Sequence, residues 1–338
     1  MDNNDAPSPV KMFQTLTAYQ NTGALKAALE LDLFTAIGEN SATAAELATR
    51  CAASERGVRI LCDYLTVIGF LEKKADAYRL TRDSAAFLSR NSPAYAGGAA
   101  EFLLSDHLTE GFANVAAAVR NGGTVQAAGG SMAPEHPMWL SFARGMGWLM
   151  MPGAQALAEI AALDSSRDTK VLDIAASHGI WGLSFAQRSP RAQVVGLDWA
   201  PVLQIARENA ERMGLSDRFS TVEGSAFEVD WGPDYDLILL PNFLHHFDAP
   251  TCVQLLRKCH AALREGGRVA IVEFVPNPDR VSPPDAAMFS LVMLVSTERG
   301  DAYTFAEFEE MLREAGFTAV EQHPLPPGMS TAILAQKG

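Results

Sequence analysis

From residue 169 onward short apolar runs alternate with amphipathic stretches, and that alternation restricts the second half of the chain to one class of fold. KVLDIA reads as a buried strand, followed by a helix to about Gln187. AQVVGLD is a second strand, followed by a helix over 201–213. RFSTVEG and YDLILLP are the third and fourth strands, a helix covers 250–263, and GRVAIVEFV is the fifth. Thr304-Phe-Ala-Glu307 has the residue types of a capping box and opens one more helix. FTAVEQHPL and STAILAQK then close the chain as two final strands. Strands linked by helical crossovers pair in parallel, whereas the closing pair suggests one antiparallel strand. The expectation is an α/β fold with a seven-stranded, doubly wound sheet over residues 166–338.

The first hundred residues read differently. Thr43-Ala-Ala-Glu46 is a capping-box pattern for a helix reaching about Cys51, and residues 54–67 place Val58, Leu61, Leu65 and Val67 at helical spacing. FLEKKADAYRLT follows as two short extended runs around a polar Lys73–Asp76 turn. Helix, helix and hairpin is the order of a winged helix, a fold that often binds DNA. Charge argues against that use here. Residues 41–90 hold eight Lys/Arg and six Asp/Glu, and Glu55 and Asp63 sit beside Arg56 and Arg59 on the would-be recognition helix. The whole chain has a formal charge of -13 and a sequence pI of about 5.0, which repels phosphate backbones. A packing or dimerisation role for residues 1–100 is the better reading.

Residues 101–165 form a mostly helical connecting segment, broken at Asn121-Gly122-Gly123, Gly129-Gly130, Pro134 and Pro137. Within it, PMWLSFARGMGWLMMPGAQAL is rich in Met and aromatics, as a core helix is and as a helix lining a pocket also is. No apolar run reaches the roughly 18 residues of a membrane span, and MDNNDAPSPV lacks the regions of a signal peptide. Cys51, Cys62, Cys252 and Cys259 make no C-x-x-C pair, so neither a disulfide framework nor a metal site is expected, and a cytoplasmic location fits.

In an open α/β sheet, ligands bind beyond the carboxyl ends of the strands. After the first strand of the alternating region stands Asp173-Ile-Ala-Ala-Ser-His-Gly179, where Ala175, Ala176, Ser177 and Gly179 are small enough for backbone to approach a ligand. A generic strand-to-helix turn favours small residues too. After the second strand, Asp198 precedes Trp199, and an acid there can accept from both ribose hydroxyls, in NAD enzymes as in others. A helix N-cap is the plainer reading of Asp198. After the third strand, Gly224-Ser225-Ala226-Phe227 offers backbone, a hydroxyl and an apolar wall for a base. After the fourth come Pro241, Asn242, Phe243, His245 and His246, and the fifth ends on Glu273. A carboxylate in a strand that otherwise reads as buried needs a partner, and His245 is the natural candidate.

Taken together, these motifs resemble the S-adenosylmethionine (SAM)-dependent O-methyltransferases that carry an N-terminal winged-helix dimerisation domain, from about residue 11 to the end of the chain. The resemblance implies a Rossmann-like class I methyltransferase domain, SAM as cofactor with S-adenosylhomocysteine (SAH) as product, a small-molecule acceptor and a homodimer. It implies cofactor contacts from Ala175, Ser177, Gly179, Asp198, Trp199, Gly224, Ser225, Ala226, Phe227, Pro241 and Asn242. His245 falls on the family's general base and Glu273 on its first base-orienting glutamate. The second such glutamate falls at Ala302, beside Asp301, which is the candidate replacement. Phe142-Ala-Arg-Gly-Met146 matches the family's Phe-x-x-Gly-Met, whose methionine touches substrate. Other departures are Ala175-Ala176-Ser177 in place of a glycine run, Ser225 in place of an acid, and His246-Phe247 in place of Asp-Trp.

Phe142, Met146, Trp148, Met150, Phe243, His246, Phe289 and Met293 are the candidates for lining the acceptor pocket, although the apolar ones would serve equally as core. A phenol has a pKa of about 10 and histidine about 6.5, so complete proton transfer to an unperturbed histidine costs about 5 kcal/mol. That gap suits a phenol, enol or hydroxylated heteroaromatic and disfavours an aliphatic alcohol. The competing readings are C- or N-methylation or a SAM-dependent rearrangement on the same fold, a ligand-sensing DNA-binding regulator, and an NAD-dependent oxidoreductase.

Overall fold

The structure, a computed structural model, describes residues 7–132 and 135–338, without the side chains of 128, 129 and 132. Pro134, read above as a helix breaker, lies outside the described residues, as does the start of the N-terminal stretch. The chain divides into two compact units, one ending at Ala100 and one running from Glu101 to Gly338. The connecting helical segment therefore belongs to the same unit as the sheet. No described helix is long and apolar enough to cross a membrane.

In the first unit a capping box is formed at Thr43, whose side chain accepts from the Glu46 N–H while Glu46 reaches back to the Thr43 N–H. It starts the helix Ala44–Arg50, and Ser54 caps the next, Glu55–Val67. Strands β1 (Ala42–Thr43), β2 (Leu71–Lys74) and β3 (Ala77–Leu80) form a small antiparallel sheet in the order β1-β3-β2. The hairpin turn is tighter than read from sequence: Lys73 and Lys74 are in the strand, and Ala75 turns the chain in a left-handed conformation. Val58 and Leu65 are buried with Cys62 between them, but Val67 is 84% exposed. Two residues beyond Leu65, a helical side chain has rotated to the opposite face. The opening helix Val10–Thr17 has no buried residue, and Val10, Met12, Phe13 and Leu16 are all exposed.

The second unit is built on β4 (Thr169–Ile174), β5 (Ala192–Asp198), β6 (Phe219–Glu223), β7 (Tyr235–Pro241), β8 (Leu263–Glu273), β9 (Phe317–Leu325) and β10 (Ser330–Lys337). Their order is β6-β5-β4-β7-β8-β10-β9, and only β10 runs against its neighbours. Side chains alternate between the faces with the strand period. Leu172, Ile238, Leu240, Val269 and Ile271 join a cluster with the helices Ala249–Ala262 and Phe305–Glu314. Val171, Leu237, Leu239, Ala270 and Val272 join one with Gly147–Ile160 and Ile180–Arg188. The result is a sheet between two helical layers. The strand order reverses between β4 and β7, so a crevice is expected at their carboxyl ends.

Candidate active site

Three loops meet at the carboxyl ends of β4, β5 and β6. Asp198, the last residue of β5, joins two of them. One of its oxygens accepts from the Ser177 N–H at 2.8 Å, the other from the Trp199 N–H at 2.7 Å, and its own carbonyl accepts from the Gly224 N–H. Burial pushes the Asp198 carboxyl up to about 6, against the two N–H groups that hold it down. Ala175 and Ser177 hold left-handed backbone at φ 54° and 51°, and Gly179 follows at 73°. Thus the glycine-type path of the loop is retained although two residues carry a Cβ. Gly179 itself leaves no room: a Cβ there would lie 3.0 Å from Cβ of Ala206. At Gly224, φ is 127°, a value open to glycine and strained for other residues. After it, Ser225 begins a single turn in which its carbonyl accepts from the N–H groups of Glu228 and Val229.

On the other side of the switch point, β7 ends at Pro241 and Asn242 turns the chain at φ 52°. Its N–H donates to the Val272 carbonyl on β8, which sets the following segment beside Glu273. Glu273 is 1% exposed and His245 4%. One carboxylate oxygen accepts from the N–H groups of Phe243 and His245, and the other lies 2.5 Å from Nδ1 of His245. With the carboxylate oxygen as acceptor, Nδ1 is the donor of this pair and Nε2 is left outside it. The buried glutamate anticipated from sequence therefore has the partner anticipated for it.

Aromatic rings surround this pair. Phe289 stands edge-on to His245 at 4.8 Å between centroids, and His246 lies 4.3 Å away. His246 is buried, its Nδ1 has no partner, and burial together with His245 holds its pKa well below the usual value. It is therefore neutral, and adds no positive charge beside His245. Trp139 is edge-on to both His246 and Phe142, and Phe243 to His246. Asn242 Nδ2 is 3.9 Å from the Met150 sulfur. Phe142, Met150, Phe243, His246 and Phe289 are thus connected to the site. Met146 and Met293 are buried, which a core methionine would be as well. Trp148 is a correction: it is 42% exposed, on the solvent side of its helix.

Asp301 is the other correction. Its carboxylate accepts from the Ala302 N–H and pairs with Arg280 at 3.3 Å, and its side chain is 40% exposed. Arg280 also holds Glu307, so that corner is an external ion-pair cluster. Among the described residues, Glu273 is the one hydrogen-bond partner of the His245 ring. What the neighbourhood supplies is Gly300, where a Cβ would lie 2.2 Å from the His245 carbonyl oxygen, so close packing fixes the backbone of His245. Sequence reasoning missed Trp139, although it stands three residues before Phe142 in the flagged Met/aromatic stretch. It also passed over His178, which is buried and stacks on Phe142 at 6.0 Å. Burial pushes His178 down to about 4. No group of three or more potential metal ligands occurs among the described residues.

Comparison with known proteins gives the family. Residues 112–318 match the O-methyltransferase domain family, and residues 13–90 match the O-methyltransferase dimerisation domain. The 3-hydroxy-5-methyl-1-naphthoate 3-O-methyltransferase of Streptomyces sahachiroi is 29% identical over 92% of this chain and 90% of its own. A solved structure from Nostoc punctiforme, provisionally described as an O-methyltransferase, is 52% identical with a TM-score of 0.94, covering 98% of this chain and all of the other. Human N-acetylserotonin methyltransferase, solved in complex with SAM, shares the fold over the whole of both chains at 23% identity and a TM-score of 0.85. These matches favour the methyltransferase reading over the regulator and oxidoreductase readings. The chain belongs to the O-methyltransferase family and carries that family's dimerisation domain at its N-terminal end.

Proposed function

We propose that this enzyme uses SAM to methylate an acidic hydroxyl of a small aromatic or enolic compound, with His245 as general base and Glu273 as the group that orients it. The observation that carries the reading is the buried His245–Glu273 pair, set among aromatic rings at the same sheet edge as Asp198. The residues present suit the cofactor. Asp198 ties the β4 and β6 loops together where a ribose would bridge them, and glycine backbone at 179 and 224 allows close approach. Buried polar atoms without a protein partner also gather here, at Ser177 Oγ and Asn242 Oδ1. Asp198 would hold the ribose, the Gly224–Phe227 loop the adenine, and the 175–179 loop the amino-acid end. When bound, SAM supplies a methyl group activated on a sulfonium.

The protein's own contribution is position and proton removal. Glu273 keeps the proton on Nδ1, so that Nε2 accepts the acceptor's proton as the methyl moves. Concerted movement avoids the cost of about 5 kcal/mol for prior ionisation of a phenol. Phe142, Trp139, Phe243 and Phe289 favour a flat ring and exclude water, and alignment of the reacting atoms is worth up to roughly 7–11 kcal/mol in favourable systems. The exposed apolar side of Val10–Thr17, within the matched dimerisation domain, supports a homodimer. Incubating the protein with SAM and a panel of phenols, enols and hydroxylated heteroaromatics tests the reading by product mass. One methyl is gained on oxygen, and His245→Ala lowers turnover about 10²–10⁴-fold while SAH binding survives. Turnover unchanged by that substitution removes His245 as base, and a product without a new methyl on oxygen rejects the proposed reaction.

A further inference from the structure

Lys258 lies on the Ala249–Ala262 helix, which begins three residues after His246, and its ammonium reaches the Gly224–Trp231 part of the loop after β6. Its Nζ donates to the carbonyls of Ala226 at 2.9 Å, Phe227 at 3.3 Å and Val229 at 2.7 Å. The same ammonium sits 4.3 Å over the Trp231 ring. No carboxylate takes part in this cradle, and burial draws the lysine's pKa down. A surface lysine is normally solvated or paired with an acid; this one is half-buried, spends its hydrogen bonds on three backbone carbonyls, and feels Asp230 through its field without forming an ion pair with it.

The arrangement has a physical logic. Ser225 to Val229 make one isolated turn, whose carbonyls converge at its C-terminal end and repel one another. A single turn fixes several dihedrals for one or two hydrogen bonds, so it is unstable unless its end is capped. Lys258 supplies that cap from a different element, with charge-assisted hydrogen bonds to three carbonyls. Phe227 adds a second tie by packing edge-on against Phe247 at 5.0 Å, next to the His246 segment.

We propose that Lys258 is a positioning residue for cofactor recognition: it holds the Gly224–Trp231 loop in the one conformation that discriminates adenine from other bases. This rests on the reading above that the loop receives the adenine. If Lys258 is removed, the loop samples other conformations, and apparent affinity falls in proportion to the fraction still competent. Lys258→Met keeps the apolar stem over Trp231 and deletes the charge and the donors. Lys258→Arg keeps both.

The experiment is calorimetric titration of the wild type and both variants with SAH and with S-inosylhomocysteine, which differs only in the base. The wild type prefers SAH. Lys258→Met binds SAH about tenfold more weakly and loses most of the preference between the two bases, whereas Lys258→Arg restores much of both. A merely structural lysine would lower thermal stability and leave the preference intact, and that result overturns the proposal. A wild type that binds SAH and S-inosylhomocysteine equally overturns the assignment of the loop to adenine, which is a separate failure. Thermal melts of each variant confirm that the titrated protein is folded.

Discussion

Replacing Ser177 by glycine should make the protein more stable, although the substitution shortens a side chain in a partly buried loop. Ser177 holds φ at 51°, in the left-handed region where an L-residue sits at a cost of about 1–2 kcal/mol. Its Oγ is buried without a partner, which adds about 1–3 kcal/mol. Glycine removes both terms. Against this stand about 0.5–1 kcal/mol of extra unfolded-chain entropy and about 0.8 kcal/mol for the lost methylene. The balance is a gain of about 1–2 kcal/mol. A unit of about 240 residues unfolds with an entropy near 0.5 kcal/mol/K, so its melting temperature should rise by about 2–4 °C. Ser177→Ala relieves the hydroxyl and keeps the strain, but it avoids glycine's entropy and methylene costs, which are about the size of that strain, so it should melt above the wild type and close to the glycine variant. Scanning calorimetry of the ligand-free protein ranks the three. A glycine variant that melts below the wild type would refute the reasoning, because the loop would then depend on a serine contact absent from this account.

Other consequences can be checked in parallel. Glu273→Gln offers Nδ1 of His245 a donor in place of an acceptor, moves the ring proton to Nε2, and should cut turnover at least 10²-fold with SAH affinity unchanged, measured by steady-state kinetics and titration. Asp301→Asn disturbs only the exposed pair with Arg280 and should leave turnover within about threefold. Asp173 is fully buried, with one oxygen accepting from the Gly182 N–H and the other unpartnered; burial pushes its carboxyl up to about 8. Between an unfolded value near 3.9 and that folded value the native state binds the extra proton, so this group's contribution to stability declines as pH rises through the window. Asp173→Asn keeps the acceptor for Gly182 and cannot ionise, so its melting temperature should gain on the wild type between pH 5 and pH 9. A constant difference across that range would contradict the assignment.

The sheet was legible in the sequence because β7 is a nearly unbroken apolar run, and a central parallel strand buried on both faces must read that way. The start of β8 was not. Leu263 to Gly267 is polar and glycine-rich, and it extends only because Tyr235 pairs with Leu263 across a register shift. Val67 was misplaced because an apolar residue near a helix end satisfies a spacing count without facing the core. Within the site, residues at strand ends could be found in order along the chain, and the need of buried Glu273 for a partner pointed to His245. Lys258 and Trp139 could not be found that way. Each acts on a segment 27 or more residues distant in sequence, or on a ring from another element, and nothing local marks the contact. Asp301 was chosen for its chemistry and its neighbour in the chain, while the direction of its side chain is set by Arg280 from a separate loop.

The most direct measurement is a calorimetric titration of the purified protein with SAH, repeated for Asp198→Ala and His245→Ala. A single crevice that holds the adenosyl group on Asp198 and keeps His245 for the acceptor predicts one SAH per chain, binding lost in the first variant and preserved in the second. No heat with the wild type, or undiminished binding by Asp198→Ala, would contradict it.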